Sequence, residues 1–367
     1  MPVDAINFVL NVPDSSIKQG ENIYLAGNFN GWNPKDTAFI LKKTSDNQYL
    51  YSLPLSILPK EMNFPFTFEY KYTKGTWDKV ERNAQKEEIP NRTLTLTAKK
   101  NLTTYDTVAT WQGKPKVSTA APNVKVLAEN FQMTQLKRNR KIWIYLPLDY
   151  EQNTQRRYPV LYLHDGQNLF DNLIAPFGEW NIDETLNTHN ASLIVVGINH
   201  GDSLRLNEYS PYKNAQYGGG EGYQYLDFIV KELKPFVDKN YRTMPDAEHT
   251  GIGGSSMGGL ISFCAILKYP HVFGKALVFS PSFWFSEDLF KDVEKNNFSK
   301  KTKIYMLMGG KEGEEMVTNS NKIDELLKKK GLEPKNYLYK LSPEGNHNEA
   351  FWSKEFPDAF QWLYSKN

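Results

Sequence analysis

One short run in the second half of the chain constrains the fold more than any other feature. It has the pattern Gly-x-Ser-x-Gly with Ser256 at its centre, and it lies between a strand-like run at 249–253 and an apolar, helix-like run at 260–267. A serine at a strand-to-helix turn, flanked by glycines, predicts a nucleophile elbow, because so tight a turn lifts the hydroxyl group clear of the sheet. The five-residue pattern also occurs by chance, so a Gly/Ser-rich loop is the alternative.

Composition excludes several classes of protein. The chain has 367 residues, which is too long for one ordinary hydrophobic core and favours two domains. Its net charge of +2 argues against a nucleic-acid partner or an anionic membrane surface. The single cysteine, Cys264, allows neither an internal disulfide nor a cysteine-based zinc site. No run of about eighteen apolar residues is present, so the sequence predicts no membrane span.

The start of the sequence bears on where the protein is expected. Residues 1–5 lack the basic and apolar regions that a signal peptide has. We therefore expect a cytoplasmic protein, or a secreted or periplasmic one from which a signal peptide was removed.

Residues 113–122 separate two parts of different character. This segment is rich in small and polar residues and contains prolines, which is typical of a linker. In residues 1–112, short alternating segments without helical periodicity predict an all-β domain, an antiparallel immunoglobulin-like sandwich. The predicted strands are 6–10, 23–26, 49–53, 66–72 and 93–97.

In residues 123–367, short continuous apolar runs alternate with segments of helical periodicity. Such runs are typical of strands buried on both faces of a mostly parallel sheet, so we expect a doubly wound α/β domain. The predicted strands are 142–146, 160–163, 193–198, 276–279, 304–308 and 336–341, and helical periodicity covers 225–237, 323–327 and 356–363.

Chain order selects the base that would activate Ser256. A serine hydroxyl group is a weak nucleophile, and in this fold class the acid and then the histidine follow it along the chain. Only His271 and His347 follow Ser256, and a helix that starts at the elbow carries His271 roughly 20 Å away. His347, in a turn-rich loop, is therefore the predicted base. The alternative is that His347 is an exposed loop histidine without a catalytic role.

The acid that orients the histidine should follow the strand that ends near residue 308. Glu312 is the first carboxylate of that loop and is the predicted acid. Glu314 and Glu315 are the alternatives, although both suit the first turn of the next helix, where acidic side chains are favoured.

An oxyanion hole needs two preorganised backbone N–H groups. We assign the first to Met257, the residue after the nucleophile. The second is assigned to Gln167, in the loop after strand 160–163. His164 and Asp165, in the same loop, are predicted to hold its shape, because chain order argues against a catalytic role for them.

Five separated runs together resemble one family: residues 162–171, 205–211, 254–259, 280–284 and 345–347. They are similar to the putative-esterase family of α/β-hydrolases, which includes enterochelin esterase-like enzymes, feruloyl and acetylxylan carbohydrate esterases, esterase D and the mycolyltransferases. The resemblance covers residues 123–367 and implies an α/β-hydrolase fold. It also implies Ser256 as nucleophile, His347 as base, an acid on the loop that holds Glu312, and the second oxyanion donor at Gln167.

The first part of the chain resembles another family, the starch- and glycogen-binding modules. The runs that carry this resemblance are 25–34, 68–72, 75–77 and 90–92. Sugars stack their C–H faces on aromatic rings, so the resemblance implies that Trp32 and Trp77 contact a glycan. The alternatives are that Trp32 belongs to the core of the sandwich and that the module is a spacer without affinity for sugar.

Aromatic residues crowd the predicted rim of the site, and Trp284, Trp180 and Trp352 are predicted to contact substrate. A pocket lined by rings suits an aromatic acyl group such as ferulate, or a catecholate. Arg205 either meets a carboxylate or catechol oxygen of the substrate or pairs with Glu208 three residues later.

These residues support three functional hypotheses. The first is a serine esterase that forms an acyl-enzyme and acts on feruloyl- or acetyl-type esters of a glycan, with a polysaccharide on the N-terminal domain. The second keeps the chemistry and changes the substrate to an enterochelin-type siderophore trilactone. The third is a non-catalytic glycan-binding protein. None of them calls for a metal or another cofactor.

Overall fold

The computed structural model describes residues 5–13, 16–57, 64–111, 113, 117–299 and 301–364. Its contacts divide the chain into two compact units, Met1–Val117 and Ser118–Asn367. Residues 112 and 114–116, next to and within the predicted linker, lie outside the described residues. The predicted domain bounds of 1–112, 113–122 and 123–367 stay a prediction.

The first unit is built from strands arranged in two sheets. The strands are β1 (Ala5–Asn11), β2 (Tyr24–Gly27), β3 (Lys42–Ser45), β4 (Gln48–Pro54), β5 (Phe66–Thr73), β6 (Arg92–Leu96) and β7 (Leu102–Thr107). One sheet has the strand order β3-β4-β1-β7 and the other has the order β2-β5-β6. Alternate side chains from both sheets, such as Phe8 and Phe68, share one buried core.

The five strands predicted for this part are present as β1, β2, β4, β5 and β6. The expectation of a wholly antiparallel arrangement is wrong, because β1 and β7 run parallel from the pair Ile6–Leu102 to the pair Asn11–Thr107. A period of two along a strand indicates which side chains are buried, but it carries no information on the neighbouring strand or its direction.

The strands described in the second unit are β8 (Val124–Met133), β9 (Arg138–Tyr145), β10 (Val160–His164), β11 (Ile194–Ile198), β12 (Lys213–Asn214), β13 (Gly218–Gly219), β14 (Thr250–Ser255), β15 (Lys275–Phe279), β16 (Lys303–Gly309) and β17 (Tyr337–Ser342). Eight of these described strands form a large sheet in the order β17-β16-β15-β14-β10-β11-β9-β8. Strands β12 and β13 form a separate small pair.

The helices of the second unit pack on both faces of this sheet. They are α1 (Ile182–Thr188), α2 (Arg205–Glu208), α3 (Gly222–Phe228), α4 (Lys234–Asn240), α5 (Met257–Lys268), α6 (Asp288–Lys295), α7 (Glu314–Lys329) and α8 (Glu349–Tyr364). The helix predicted over 225–237 is present but interrupted, since a π-helical segment, Ile229–Leu233, joins α3 to α4.

The sheet is mostly parallel, as expected. Strands β17, β16, β15, β14, β10 and β11 run parallel to one another, and β9 runs antiparallel to both β11 and β8. Alternate residues of one strand enter different cores: Tyr162 lies in the core on one face and Leu163 in the core on the other. Burial on both faces explains why these strands are continuous apolar runs in the sequence.

No helix in the described part of the chain combines the length and the apolar character needed to cross a bilayer.

Close approach of α5 to the sheet gives a test of the fold. A Cβ atom on Gly259 would lie 2.8 Å from the carbonyl oxygen of Phe279 and 3.2 Å from Cα of Pro281. Gly259→Ala should therefore push α5 away from β15 and lower the free energy of unfolding by about 1–3 kcal/mol, measured by urea denaturation. The matched control is Gly113→Ala, whose Cβ meets nothing closer than 4.0 Å and which should change stability by less than about 0.5 kcal/mol. Equal effects of the two substitutions would contradict the close packing.

Candidate active site

Three neighbouring strands of the large sheet end in strained residues. Strands β10, β14 and β15 are followed directly by Asp165, Ser256 and Ser280, whose φ angles are +56°, +59° and +42°. Residues other than glycine rarely adopt a positive φ, and such strain is concentrated at functional sites. The carboxyl edge of β10, β14 and β15 is therefore the candidate site.

Ser256 occupies the turn between β14 and α5, with φ +59° and ψ −123°. Its N–H donates to the carbonyl oxygen of Phe279 at 3.0 Å, and its carbonyl oxygen accepts from the N–H of Ser282 at 3.1 Å. Its half-buried side chain places Oγ 3.3 Å from the Oγ of Ser282. The backbone of the turn is thus fixed from both sides, with the hydroxyl group at the start of α5.

Glu312 and His347 form a close pair at the ends of β16 and β17. Oε2 of Glu312 lies 2.7 Å from Nδ1 of His347. The carboxylate is fully buried, whereas 37% of the His347 side chain is exposed. The other oxygen, Oε1, accepts from the N–H of Gly309 at 2.8 Å and from the hydroxyl group of Ser280 at 2.6 Å. These bonds orient the carboxylate so that it faces the imidazole.

Gly309, the last residue of β16, makes this arrangement sterically possible. A Cβ atom there would lie 2.5 Å from Oε1 of Glu312 and 2.5 Å from the carbonyl oxygen of Gly345. The absence of a side chain at Gly309 therefore lets the acidic loop and the histidine loop approach each other.

Two tryptophans lie behind the histidine. The indole N–H of Trp352 donates to the hydroxyl group of Ser280 at 2.8 Å, and the same hydroxyl group donates to Glu312. The Trp352 ring meets the His347 ring edge to face at 5.1 Å and lies 5.8 Å from the ring of Trp180. A chain of contacts thus connects α8 to the carboxylate.

The structure brings Glu312 and His347 together and places Ser256 at the same edge of the sheet. Among the described residues, no hydrogen bond joins the hydroxyl group of Ser256 to His347. The hydroxyl group of Ser256 lies instead within hydrogen-bond distance of the hydroxyl group of Ser282. Catalytic hydrogen bonds are often long without substrate and tighten in the complex.

The two backbone N–H groups assigned to an oxyanion hole follow two adjacent strands, β14 and β10. Met257 is the first residue of α5, so its N–H has no acceptor within the helix. Gln167 lies in the 3₁₀ turn Gly166–Asn168 after β10, whose first internal bond runs from the N–H of Asn168 to the carbonyl oxygen of Asp165. The side chain of Gln167 accepts from the N–H of His200 at 3.3 Å, which holds this turn against β11.

Arg205 has a different partner from the one expected. Its guanidinium group makes two bonds of 2.8 Å to the carboxylate of Asp165 and lies over the ring of Tyr209. The alternative pairing with Glu208 is wrong, because Glu208 accepts instead from Arg138 and Arg140, which lie on β9. The spacing of residues along one helix carries no information on ion-pair partners that lie on strands or loops elsewhere in the chain.

Asp165 is buried and Arg205 is half-buried, so the ion pair between them has a large electrostatic effect. Burial alone would raise the pKa of Asp165, but the charge and hydrogen bonds of Arg205 outweigh it and hold that pKa below its usual value. The neighbouring His164 is buried, its Nδ1 lies 2.9 Å from the hydroxyl group of Tyr225, and burial lowers its pKa to about 3. His164 is therefore neutral at physiological pH. The contacts of His164 and Asp165 connect the loop that contains Gln167 to Tyr225 and Arg205.

The predicted substrate contacts differ in exposure. Trp180 and Trp352 are only 3% and 4% exposed, which leaves them little surface for a substrate. Trp284 is half-buried and meets Tyr217 edge to face at 5.4 Å. In the first unit, Trp32 and Trp77 are both half-buried, with ring centres 6.3 Å apart.

Sequence reasoning did not assign a role to Ser280 or Ser282. Both follow the buried strand β15, which is the direct neighbour of the strand that carries Ser256. Their position after a strand adjacent to the elbow was the signal that could have identified them, since carboxyl ends of parallel strands meet at one edge.

Comparison with known proteins shows the family of this chain. The family model described as "Putative esterase" matches residues 133–363. The uncharacterized protein YbbA of Bacillus subtilis is 30% identical over 247 residues, which is 62% of this chain and 94% of YbbA. An endo-1,4-beta-xylanase/feruloyl esterase of Xylanibacter ruminicola is 26% identical over 227 residues, which is 60% of this chain and 29% of that protein.

A solved structure matches over nearly the whole chain. The enterobactin esterase of Shigella flexneri, crystallised in the presence of enterobactin, superposes with a TM-score of 0.56 at 17% identity. The match covers 98% of this chain and 93% of that one. At this identity the likeness concerns the fold.

The ion pair of Asp165 and Arg205 predicts a pH-dependent loss of stability. In Arg205→Gln, the buried carboxylate loses its cation, which should lower the free energy of unfolding at pH 7 by about 3 kcal/mol. Because the pKa of Asp165 is depressed, its contribution is present above about pH 4 and is lost as the pH falls through the folded-state value. Urea denaturation at pH 7 and at about pH 3 should therefore show a difference between wild type and variant that shrinks at the lower pH.

The control for this prediction is Lys291→Gln, which removes the partner of Asp288 in an exposed ion pair. It should leave the midpoint of urea denaturation unchanged at either pH, because an exposed ion pair contributes little to stability. An Arg205→Gln variant as stable as this control would show that the pair of Asp165 and Arg205 does not stabilise the fold.

Proposed function

This chain belongs to the Putative esterase family, and from that premise we propose that it is a serine esterase that hydrolyses carboxylic esters through an acyl-enzyme. Ser256 is the nucleophile, His347 the base and Glu312 the acid. The observation that carries the proposal is the bond of 2.7 Å between Oε2 of Glu312 and Nδ1 of His347, at the sheet edge where Ser256 occupies its strained turn.

In the proposed mechanism, Nδ1–H of His347 donates a hydrogen bond to Oε2 of Glu312, so that Nε2 is left unprotonated as the basic nitrogen. His347 takes the proton of Ser256 as the hydroxyl oxygen attacks the ester carbonyl carbon. The negative oxygen that forms is stabilised by the N–H groups of Met257 and Gln167. His347 then gives its proton to the leaving alcohol, and water releases the acid from Ser256 in the reverse sequence.

Three features support Glu312 rather than its neighbours as the acid. Its carboxylate is buried, it is held by Gly309 and Ser280, and it contacts the imidazole directly. Glu314 and Glu315 are exposed in the first turn of α7, where acidic side chains interact favourably with the helix dipole.

For the substrate, we propose acyl esters of feruloyl or acetyl type that are linked to a glycan. Support comes from the relative named as a xylanase and feruloyl esterase, and from the half-buried Trp284 and Tyr217, which present aromatic surface. We also propose that residues 1–112 form an immunoglobulin-like glycan-binding domain, that 113–122 are a linker, and that 123–367 are the esterase domain. The neighbouring rings of Trp32 and Trp77 are the proposed sugar platform.

The role of Glu312 is tested by an isosteric substitution. Glu312→Gln should lower kcat for a short-chain p-nitrophenyl ester by about 10³–10⁴-fold, because the amide no longer stabilises the charged imidazole. The fold should be preserved, which circular dichroism checks. Glu314→Gln, the matched control, should keep nearly full activity, and the opposite pattern would show that the acid is misassigned. Ser256→Ala should abolish release of p-nitrophenol.

A comparison of three substrates tests the choice of acyl group and alcohol. The protein should hydrolyse methyl ferulate or acetylated xylan with a higher kcat/KM than an iron-free catecholate trilactone, because the proposed substrate is an ester of the feruloyl or acetyl type. A preference for the trilactone would establish the siderophore alternative. No turnover of any ester, including the p-nitrophenyl ester, would favour the third hypothesis, a non-catalytic glycan-binding protein.

A further inference from the structure

A cluster of acidic side chains lies around the start of α1, outside the residues of the proposed triad. One oxygen from each of Glu179, Asp183 and Glu184 lies within 4.8 Å of the others. Asp183 is fully buried and Glu179 is 7% exposed. Within the described ranges, no lysine, arginine or histidine forms an ion pair with any of the three. Buried carboxylates in such a group need a positive charge or protons.

Two of the carboxylate oxygens in this cluster accept hydrogen bonds from residues 119–121. Oε2 of Glu179 accepts from the hydroxyl group of Thr119 at 2.6 Å, and Oδ2 of Asp183 accepts from the N–H of Ala121 at 2.7 Å. The other oxygens, Oε1 of Glu179, Oδ1 of Asp183 and Oε2 of Glu184, are buried, and no group of the described residues donates a hydrogen bond to them. A buried oxygen without a hydrogen-bond donor is costly, and three in one cluster form a set of acceptors that a cation would satisfy.

The arrangement of donors indicates the class of ligand. All three are hard carboxylate oxygens, and no cysteine or histidine takes part in the cluster, which favours Ca²⁺ over zinc or copper. Two oxygens on opposite sides of a Ca²⁺ ion, with bonds of about 2.3–2.6 Å, are separated by about 5 Å. The oxygens of the three side chains lie within 4.8 Å of one another, which is compatible with that geometry.

We propose that Glu179, Asp183 and Glu184 bind a structural divalent cation, Ca²⁺ being the ion that their oxygens suit. The bound ion would tie residues 119–121 to the start of α1, because Thr119 and Ala121 hold the outer oxygens of the same carboxylates. This site is separate from ester hydrolysis, and the proposal does not depend on the proposed function.

Burial raises the pKa of two of these carboxyl groups. Burial, with the charges of Glu184 and Asp171 nearby, raises the pKa of Glu179 to about 7. Burial, with Glu184 as the neighbouring acid, raises the pKa of Asp183 to about 8.

The experiment uses the full chain after treatment with a chelator. Adding Ca²⁺ at a hundredfold excess over its Kd should raise the melting temperature by about 5 °C or more. Terbium(III), which replaces Ca²⁺, should show emission on tryptophan excitation, because Trp180 follows Glu179 directly in the sequence, and Ca²⁺ should displace it. No shift at up to about 10 mM Ca²⁺, above the Kd of weak extracellular calcium modules, would overturn the proposal.

Substitutions locate the site. Asp183→Asn should abolish the Ca²⁺-dependent shift, whereas the matched control Asp288→Asn, at an exposed acid, should retain it in full. Retention of the shift in Asp183→Asn would refute the site. If Asp183→Asn does not fold, the same measurement on Glu184→Gln, at the half-buried acid of the cluster, decides: loss of the Ca²⁺-dependent shift supports the site, and full retention of the shift refutes it.

Discussion

The buried carboxylate of Glu312 is the interaction on which the site depends. Its two oxygens accept from the backbone of Gly309, the hydroxyl group of Ser280 and the imidazole of His347, so one charged group joins the ends of β15, β16 and β17. A charge without solvent contact is tolerated only with such partners, which means that the loops carrying them cannot move independently. Precise placement of the imidazole follows from this shared constraint.

The parallel sheet supplies the second condition, a common edge for groups that are far apart in sequence. Asp165, Ser256 and Ser280 each follow a strand directly and have a positive φ angle. Hydrogen bonds to neighbouring strands stabilise this conformation, such as the bond from the N–H of Ser256 to the carbonyl oxygen of Phe279. Strain of this kind persists only where the surroundings over-determine the backbone. The pair of Asp165 and Arg205 extends the same support to the turn that contains Gln167.

Much of this could be predicted from the sequence, because local signals carry it. The continuous apolar runs at 160–163 and 304–308 predict buried parallel strands, and the elbow pattern identifies Ser256 with its strand and helix. What could not be predicted depends on which distant residues meet. The parallel pairing of β1 with β7, the partner of Arg205 and the role of Ser280 are set by register and side-chain direction, which no short pattern encodes.

The bond from the indole of Trp352 to Ser280 makes the proposed triad sensitive to helix α8. Because Trp352 also contacts the ring of His347, partial detachment of α8 would release both the histidine and the hydroxyl group that holds Glu312. Local opening of one helix requires less free energy than the global unfolding that melts the central strands of a sheet. Heating should therefore inactivate the protein before the sheet melts, with catalytic turnover lost while most of the far-ultraviolet ellipticity remains.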